Sequence, residues 1–381
     1  MINRRQFLKG LGLTTLSALL PRFAIANSVS FSRQRRLLVL IELKGANDGL
    51  NTLIPYSQSA YYDARPNLAL KADSLHKLSA DLALHPELGA LVEPWNAGEF
   101  AWIQGVGYPQ PNRSHFESIE IWDSASADHH NAGDGWIASC FPGYELGGIA
   151  VDTNLGPLFG EGFSALSISD PQRFIKRGQT LKSIRSGVMT NDSLRHILDV
   201  HADIDMMADV LSSYLADIPE PRQSFAKTPF GRSLNSVYTL VASGIDVPAY
   251  KTTLGGFDTH VSQLYRHRNL LQALGEGIAA LRTNLSHLNM WDETVVMTYS
   301  EFGRRVKENS SKGTDHGTAA PHMVLGGRVK GGFYGEYPSL TDLDERGDLI
   351  YTTDFRDMYA TIREGWWGLA SDGKSQSLGF I

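Results

Sequence analysis

Short apolar runs alternate along the chain with longer stretches in which apolar residues recur at helical spacing. Residues 37–43, 100–106, 249–254 and 294–296 are mostly apolar or β-branched, and each run ends at a polar or glycine-rich cluster. Nearly continuous runs of this length are typical of strands that are covered on both faces. A weaker fifth run, HMVLGG at 322–327, predicts one more strand.

The stretches between these runs predict helices. Residues 261–288 carry leucine and isoleucine close to 3.6-residue spacing, a second pattern spans 194–215, and a third begins at the N-cap-like Asp354. Strands separated by helices predict an α/β domain with a mostly parallel sheet and helices on both faces. The region from about 143 to 222 fits this alternation poorly, which predicts an insertion or cap over one edge.

The first 26 residues have the pattern of an export signal. A basic start is followed by an apolar run at 11–20 and by the small-residue site AIA at 24–26. Arg4 and Arg5 match the twin-arginine pattern, which sends folded proteins across the bacterial inner membrane. We therefore expect a periplasmic or otherwise exported protein that meets the twin-arginine translocase. The alternative, a membrane-spanning helix, is disfavoured because about ten apolar residues are too few to cross a bilayer. No other apolar run suggests a membrane span, so we expect none in the mature protein.

The remaining residues, 27–381, are predicted to form a single domain. The full chain has a formal charge of -6, and removal of four cations and no anion with the signal gives -10. An acidic chain without a basic stripe argues against nucleic-acid binding. Cys140 is the only cysteine, which excludes an intramolecular disulfide.

Polar residues follow the predicted strands at the places where chemistry is expected. In an open parallel sheet, ligands bind beyond the carboxyl ends of the strands. Carboxylates and neutral imidazoles are ligands for zinc and manganese, and hard ions such as calcium accept the carboxylates. The sequence therefore predicts a divalent metal site. The polar residues are Asn47 and Asp48 after the first strand, Ser114 and His115 after the second, Asp258 and His260 after the third, Glu301 after the fourth, and Asp315, His316 and His322 around the start of the fifth.

Each of these residues also has a plainer interpretation. The alternatives are a turn at 47–49, a capping box of Ser114 with Glu117, a helix cap at Asp258 or Thr259, an ion pair of Glu301 with Arg304, and a loop at 315–317. Five independent turns that all end in metal-type ligands favour the metal site over these alternatives taken together.

Ser114 is the candidate nucleophile. A serine at a helix N-terminus lies among free backbone N–H groups, where a phosphate or sulfate is favoured. A divalent ion lowers the pKa of a hydroxyl and makes the alkoxide available for attack. Arg113, the preceding residue, is expected to pair with the ester oxygens.

Six segments, in order, resemble the motifs of the bacterial family known as domain of unknown function 1501, whose members typically carry twin-arginine signals. The segments are LKGANDGLNTLIPY, NRSHFESIEIW, GGFDTH, YSEFGRRV, GTDHGTAAPHMVLGG and TTDFRDMYATI. That family is similar in its core to the alkaline phosphatase superfamily, which includes sulfatases and phosphodiesterases. The resemblance implies an alkaline phosphatase-like core with an inserted cap region.

The resemblance also implies roles for individual residues. Asp48 stands at the first ligand position and Ser114 at that of the nucleophile. Asp258 and His260 supply the next pair, although the superfamily spaces this pair further apart. Glu301 stands where the superfamily has an Asp-His pair, which leaves a one-metal site as an alternative to two metals.

Together these observations predict an exported metal-dependent hydrolase of phosphate or sulfate esters, either small molecules or glycan-linked. Zinc is the expected ion, with manganese, magnesium or calcium as alternatives. The other interpretation is a non-catalytic periplasmic binding or scaffold protein that retains the fold, with or without a structural metal. The predicted metal ligands are Asp48, Ser114, Asp258, His260, Glu301, Asp315 and His316.

Overall fold

The computed structural model describes residues 36–127, 130, 133–144, 146–181, 212, 214, 215 and 218–381. The predicted export signal and nearly all of the predicted helix at 194–215 lie outside these residues. Within the described part of the chain, twelve strands form a nine-stranded sheet and a three-stranded sheet.

The nine-stranded sheet forms the centre of the fold. Its order is β11-β5-β10-β9-β1-β8-β6-β7, with β12 also paired to β5, while β2, β4 and β3 form the small sheet. Pairings within the large sheet are parallel except the two that β10 makes. The predicted α/β class with a mostly parallel sheet is confirmed. The strands are β1 (Leu37–Lys44), β2 (Leu53–Ile54), β3 (His76–Lys77), β4 (Ala83–Leu84), β5 (Phe100–Gly107), β6 (Gly148–Val151), β7 (Ala165–Ile168), β8 (Ala249–Gly255), β9 (Thr294–Tyr299), β10 (Ala320–Leu325), β11 (Gly332–Tyr334) and β12 (Thr353–Asp354).

The five apolar runs of the sequence form β1, β5, β8, β9 and β10. β10 runs antiparallel to both of its neighbours, β5 and β9. Residues 300–319, which connect β9 to β10, contain no helix that would return the chain to the opposite edge of the sheet. A parallel strand requires such a crossover. Without one, β10 begins at the end of the sheet where β9 finishes and therefore runs antiparallel to it.

Helices cover both faces of the large sheet, as predicted. None of the described helices is both long enough and apolar enough to cross a lipid bilayer. The helices are α1 (Ser59–Ala64), α2 (Val92–Asn96), α3 (His115–Ser124), α4 (Trp136–Cys140), α5 (Pro171–Leu181), α6 (Pro229–Ala242), α7 (Gln263–His287) and α8 (Phe355–Thr361), which a π-helical turn at Ile362–Trp366 continues. Short 3-10 helices occur at Gly49–Asn51, Ala72–Ser74, Pro86–Leu91, Gly156–Leu158 and Trp291–Glu293.

The central strand β1 shows why its sequence is apolar at every position except Glu42 and Lys44. Val39 and Ile41 belong to the core cluster that includes residues of α6 and α7. Leu38 and Leu40 belong to the cluster on the other side, with residues of α3, α4 and α8. Because consecutive strand residues point to opposite faces, a strand covered on both faces needs an apolar residue at nearly every position.

The two long helical predictions within the described residues are confirmed. α7 lies inside the predicted span 261–288, and α8 begins directly after Asp354. The Asp354 carboxylate accepts a hydrogen bond from the backbone N–H of Arg356, which satisfies one of the free donors at the helix start.

Part of the region predicted as an insertion belongs to the large sheet. β6 pairs in parallel with β8, and β7 pairs in parallel with β6, so residues 148–168 extend one edge of the sheet. The two strands have four residues each, GIAV and ALSI. Runs this short show too little periodicity to be recognised in the sequence.

Candidate metal centre

The carboxyl ends of β1, β8 and β9 lie at the same end of the sheet as the start of β10. Asp258 follows β8, Glu301 follows β9, and His316 precedes β10. The backbone is closely packed here, because a Cβ atom on Gly45 (φ +108°) would lie 2.5 Å from the backbone nitrogen of Asp258. The glycine that follows β1 therefore lets the segment carrying Asp258 approach the end of β1.

His115, Asp258 and His316 form the centre of the site. Each offers one ligand atom, and these atoms lie within 4.8 Å of one another. His316 Nε2 lies 3.1 Å from His115 Nε2 and 3.3 Å from Asp258 Oδ1, and His115 Nε2 lies 3.6 Å from Asp258 Oδ2. Tetrahedral ligands bound to zinc at 2.0–2.1 Å are separated from one another by about 3.3 Å. The donor set and its spacing therefore fit a divalent ion such as zinc.

His260 adjoins this group. Its Nε2 atom lies 2.9 Å from Asp258 Oδ1 and 3.1 Å from His316 Nε2. The His260 side chain is 39% exposed, more than the other two histidines and less than Asp258. The predicted pair Asp258 and His260 is thus brought together, and His260 is a candidate fourth ligand.

The Nδ1 atom of each histidine is held by an acceptor outside the group. A proton on Nδ1 leaves the lone pair of a neutral imidazole on Nε2, which is the usual state of a metal-binding histidine. Two such lone pairs face each other at 3.1 Å, and a bound cation would stabilise this arrangement. The donor–acceptor pairs are His115 Nδ1 to Glu301 Oε1 (2.6 Å), His260 Nδ1 to Asp315 Oδ1 (3.0 Å) and His316 Nδ1 to the Arg113 carbonyl (2.9 Å).

Asp258 is anionic at neutral pH. Burial by itself raises its pKa, but the hydrogen bond and charge of Arg304, together with His260 and His115, outweigh burial and lower the pKa to about 2. Arg304 Nη2, which is fully buried, donates to Asp258 Oδ1 at 2.6 Å. Burial lowers the pKa of His316, which favours its neutral form. The charge states therefore suit metal binding.

Asp48, the predicted first ligand, is paired with Arg65. Arg65 Nη1 donates to its Oδ2 at 2.6 Å and Arg65 Nη2 donates to its Oδ1 at 2.9 Å. Gln263 Nε2 also donates to Oδ2. Burial raises the pKa of Asp48, but Arg65 outweighs burial and the pKa is lowered. Since both oxygens are engaged and the side chain is 1% exposed, Asp48 is a partner in a buried ion pair.

Ser114 lies directly before His115 and is half-buried. It is the N-cap residue of α3, but its side chain makes no capping hydrogen bond. Its backbone N–H donates to Asn112 Oδ1 at 2.8 Å, and Asn112 Nδ2 donates to Glu117 Oε2 at 2.6 Å. The predicted capping box is therefore not formed, and the Ser114 hydroxyl is not used to hold the helix start.

The Arg113 side chain has a different environment from the one predicted. Its Nε and Nη2 atoms donate to Asp348 Oδ2 at 2.9 and 2.5 Å, and Nη2 also donates to Asp344 Oδ2 at 3.0 Å. Two of the three guanidinium nitrogens are thus engaged in ion pairs. The contribution of Arg113 to the site is its carbonyl oxygen, which accepts from His316, rather than a free guanidinium for ester oxygens.

Glu301 and Asp315 were expected among the ligands, but they contact the histidines instead. Glu301 is buried and also accepts from the backbone N–H of Gly45 at 2.9 Å and from the Ser300 hydroxyl at 3.1 Å. Asp315 Oδ1 also accepts from Asn309 Nδ2 at 3.2 Å. Their carboxylates orient the imidazole rings.

The structure places two histidines differently from what the sequence predicted. His115 follows the second strand but was not among the predicted ligands, because the adjacent Ser114 filled that position. The sequence did contain an indication of this role, because His115 directly follows Ser114 in the loop and helix start after the second strand. His322 lies inside β10, buried beside Trp122, and not in the group.

The family described as protein of unknown function (DUF1501) matches residues 35–376. The chain belongs to this family. The match spans all of the residues in the group, and it confirms the resemblance seen in the six sequence segments. The search of curated proteins found no match.

Solved structures share the general course of the chain at low identity. The C-terminal periplasmic domain of EcEptC from Escherichia coli, in complex with Zn, is 11% identical with a TM-score of 0.45, covering 91% of this chain and 86% of that one. The lipoteichoic acid synthase LtaP from Listeria monocytogenes is 9% identical with a TM-score of 0.40, covering 91% and 74%.

A third structure is the phosphonate monoester hydrolase of Agrobacterium radiobacter, which is 11% identical with a TM-score of 0.41 and covers 90% of this chain and 76% of that one. A further match is described as a protein in the alkaline phosphatase superfamily from Vibrio parahaemolyticus, with 8% identity, a TM-score of 0.38, and coverage of 87% and 65%.

Proposed function

We propose that this protein is an exported metal-dependent hydrolase of phosphate or sulfate esters, with Ser114 as the nucleophile. The observation that carries the proposal is the group of His115, Asp258 and His316, in which both Nε2 atoms face the carboxylate and both Nδ1 atoms are held from outside. His260 adds a fourth donor beside it.

The donor types favour zinc within this proposal. Imidazole nitrogens with one carboxylate suit zinc, whereas magnesium and calcium prefer sites made only of oxygen ligands. When bound, a divalent ion supplies positive charge for the developing negative charge of the ester and lowers the pKa of an adjacent hydroxyl or water.

The residues around Ser114 support its role as nucleophile. Its hydroxyl is not used as a cap, and it lies at the start of the ten-residue helix α3. The first N–H groups of a helix and the positive end of its dipole favour an anionic ester group. Attack by Ser114 Oγ on phosphorus or sulfur would form a covalent ester as the alcohol leaves, and water would then release the acid and restore the serine.

The test compares Ser114→Ala with Ser124→Ala, in which the second serine lies at the other end of α3, donates to the Glu120 carbonyl and accepts from the backbone N–H of Ser126. Both variants and the wild type are assayed on phosphomonoesters, phosphodiesters and sulfate esters, with metal content measured in parallel. We expect Ser114→Ala to retain the metal and lose more than about 1000-fold in kcat, as expected for loss of a nucleophile. Undiminished turnover by Ser114→Ala would exclude Ser114 as the nucleophile.

The non-catalytic alternative is favoured by a specific observation. Asp48 is engaged by Arg65, and Glu301 by His115 and the backbone, so the described ligands suffice for one ion only. A binding or scaffold protein with a structural metal would retain this group. If the metal-loaded protein turns over no ester in the panel, and if metal removal lowers the melting temperature, the binding protein is the better interpretation.

A further inference from the structure

Exposed apolar side chains border the candidate metal centre. Phe116 directly follows His115 on α3, Val261 directly follows His260, and Leu264 and Tyr265 lie in the first turn of α7. They are four of the seven large apolar side chains that are exposed in the described part of the chain, and each lies within five positions of a candidate ligand in the sequence. A cluster of this kind marks a contact surface more often than chance exposure does. We call this set the apolar rim: Phe116 (83% exposed), Val261 (52%), Leu264 (40%) and Tyr265 (73%).

The centre itself is open to solvent. The side chains of His316, His115, His260 and Asp258 are 25%, 29%, 39% and 46% exposed. Ligands with this exposure can be reached by a group that is still attached to a larger surface. A site for small soluble esters would instead enclose most of its ligand.

Exposed cations accompany the apolar rim. Arg266 follows Tyr265 and is exposed. The backbone N–H of Gln263 donates to the Lys312 carbonyl at 2.9 Å, so the loop that carries the exposed Lys312 lies against the first turn of α7. The nearby anion Asp315 accepts from His260 and Asn309. Apolar side chains flanked by cations are complementary to a surface of anionic amphiphiles, which is notable in a chain whose formal charge is -6.

We propose that the apolar rim docks onto a bilayer containing anionic lipid, so that the centre acts on an ester carried by an amphiphile in that bilayer. The statement about the ester rests on the proposed function, whereas the docking does not. The local cations Arg266 and Lys312, not the net charge of the chain, favour an anionic lipid surface over an uncharged one, and this is the difference that the vesicles test.

Vesicle flotation tests the docking. The protein is mixed with vesicles of phosphatidylcholine alone or with phosphatidylglycerol, and all variants are compared in the same processed form so that any contribution of residues 1–26 cancels. We expect the phosphatidylglycerol vesicles to bind at least about tenfold more tightly at low salt, with the difference shrinking as salt rises. Equal binding to both vesicles, or no binding, would overturn the proposal.

The double variant Leu264→Ser/Tyr265→Ser removes two members of the apolar rim. We expect it to weaken vesicle binding by about tenfold or more, since buried apolar area drives interfacial binding. The matched control is Phe159→Ser, an aromatic residue that is 56% exposed and does not adjoin a candidate ligand in sequence. A double variant that binds like the wild type, or a control that loses as much, would contradict the role of the rim. Unchanged metal content in the double variant would show that it is folded.

A second measurement separates this inference from the proposed function. Turnover of a phosphate or sulfate ester is measured with the same headgroup on a vesicle-borne amphiphile and on a short soluble alcohol. We expect a higher kcat/KM for the vesicle-borne ester, and the double variant should lose this advantage. Vesicle binding without turnover of either ester would contradict the hydrolase but leave the docking intact. Equal turnover of both esters by a protein that does not float would contradict the docking alone.

Discussion

At the scale of single residues, the acceptors behind the histidines distinguish this group from ordinary surface histidines. His115, His260 and His316 each donate from Nδ1, to two carboxylates and one carbonyl. A ring held in this way loses less freedom when Nε2 binds an ion, and its tautomer is already the one that binds. The residues that hold the rings should therefore affect metal affinity without touching the ion.

Glu301→Ala is expected to weaken metal binding by about 10–100-fold, because it removes the acceptor for His115 Nδ1. Glu301→Gln keeps an oxygen acceptor in the same place and should lose less. Competition with a chromophoric chelator measures both affinities. Glu308→Ala is the control, since Glu308 accepts from Asn67 and the backbone of Leu68 and contacts none of the histidines. Equal affinity in Glu301→Ala and the wild type would argue against this role.

Asp48→Ala is expected to lower the free energy of unfolding by about 3–5 kcal/mol, because it leaves the charge of the buried Arg65 without its partner. The double variant Asp48→Leu/Arg65→Met removes both charges and should be more stable than the single variant. Urea unfolding measures stability, and elemental analysis measures metal in the folded protein. Loss of the metal with stability retained would instead support the predicted ligand role of Asp48.

At the scale of elements, α3 and β9 are joined below the candidate centre. The Tyr299 hydroxyl on β9 donates to Asp123 Oδ1 on α3 at 3.0 Å. The first residue of α3 is His115, and Glu301 comes two residues after Tyr299. The bond therefore fixes the helix that carries one ligand relative to the strand that carries its hydrogen-bond acceptor.

Asp123 should give stability a pH dependence of its own. Burial raises its pKa to about 7, with Glu42 adding to the effect and Lys251 and Tyr299 opposing it. Between the unfolded value of about 3.9 and pH 7, the folded protein keeps a proton that the unfolded chain releases. Stability therefore falls as pH rises through this window, by up to about 1.4 kcal/mol per pH unit.

Asp123→Asn should remove this contribution, since the amide does not titrate and still offers Tyr299 an acceptor. Unfolding curves at pH 4.5 and pH 7.5 give the measurement. The variant should gain stability relative to the wild type at the higher pH. A constant difference between the two proteins across this range would show that Asp123 does not titrate there.

The sequence predicts strands well where both of their faces are buried. It predicts side-chain contacts poorly where the two residues lie far apart in the chain. The apolar runs of β1, β5, β8 and β9 need no partner to be recognised, because both faces are covered. Nothing around Arg65 shows that it pairs with Asp48, 17 positions away in the chain. The same limit explains why Glu301 and Asp315 were placed among the ligands, since strand-end position does not tell a ligand from the acceptor behind it.

At the scale of the whole molecule, the predicted export signal can be tested directly. Arg4→Lys with Arg5→Lys should keep the protein in the cytoplasm, because the adjacent arginines are the feature of the twin-arginine pattern. Cell fractionation and immunoblotting measure the location, and Lys9→Arg, which keeps the charge, is the control. Normal export of the double-lysine variant would contradict the twin-arginine assignment.

The direction of β10 has a consequence for when the centre can form. The candidate ligands come from positions 115, 258, 260 and 316, and the last of them precedes β10, which lies between β5 and β9. A nascent or truncated chain thus has no complete set of donors, and tight ion binding becomes a property of the finished fold. An ion captured there would stabilise only that state. If the predicted twin-arginine export carries the protein across the membrane already folded, the choice of ion is made in the compartment where synthesis ends.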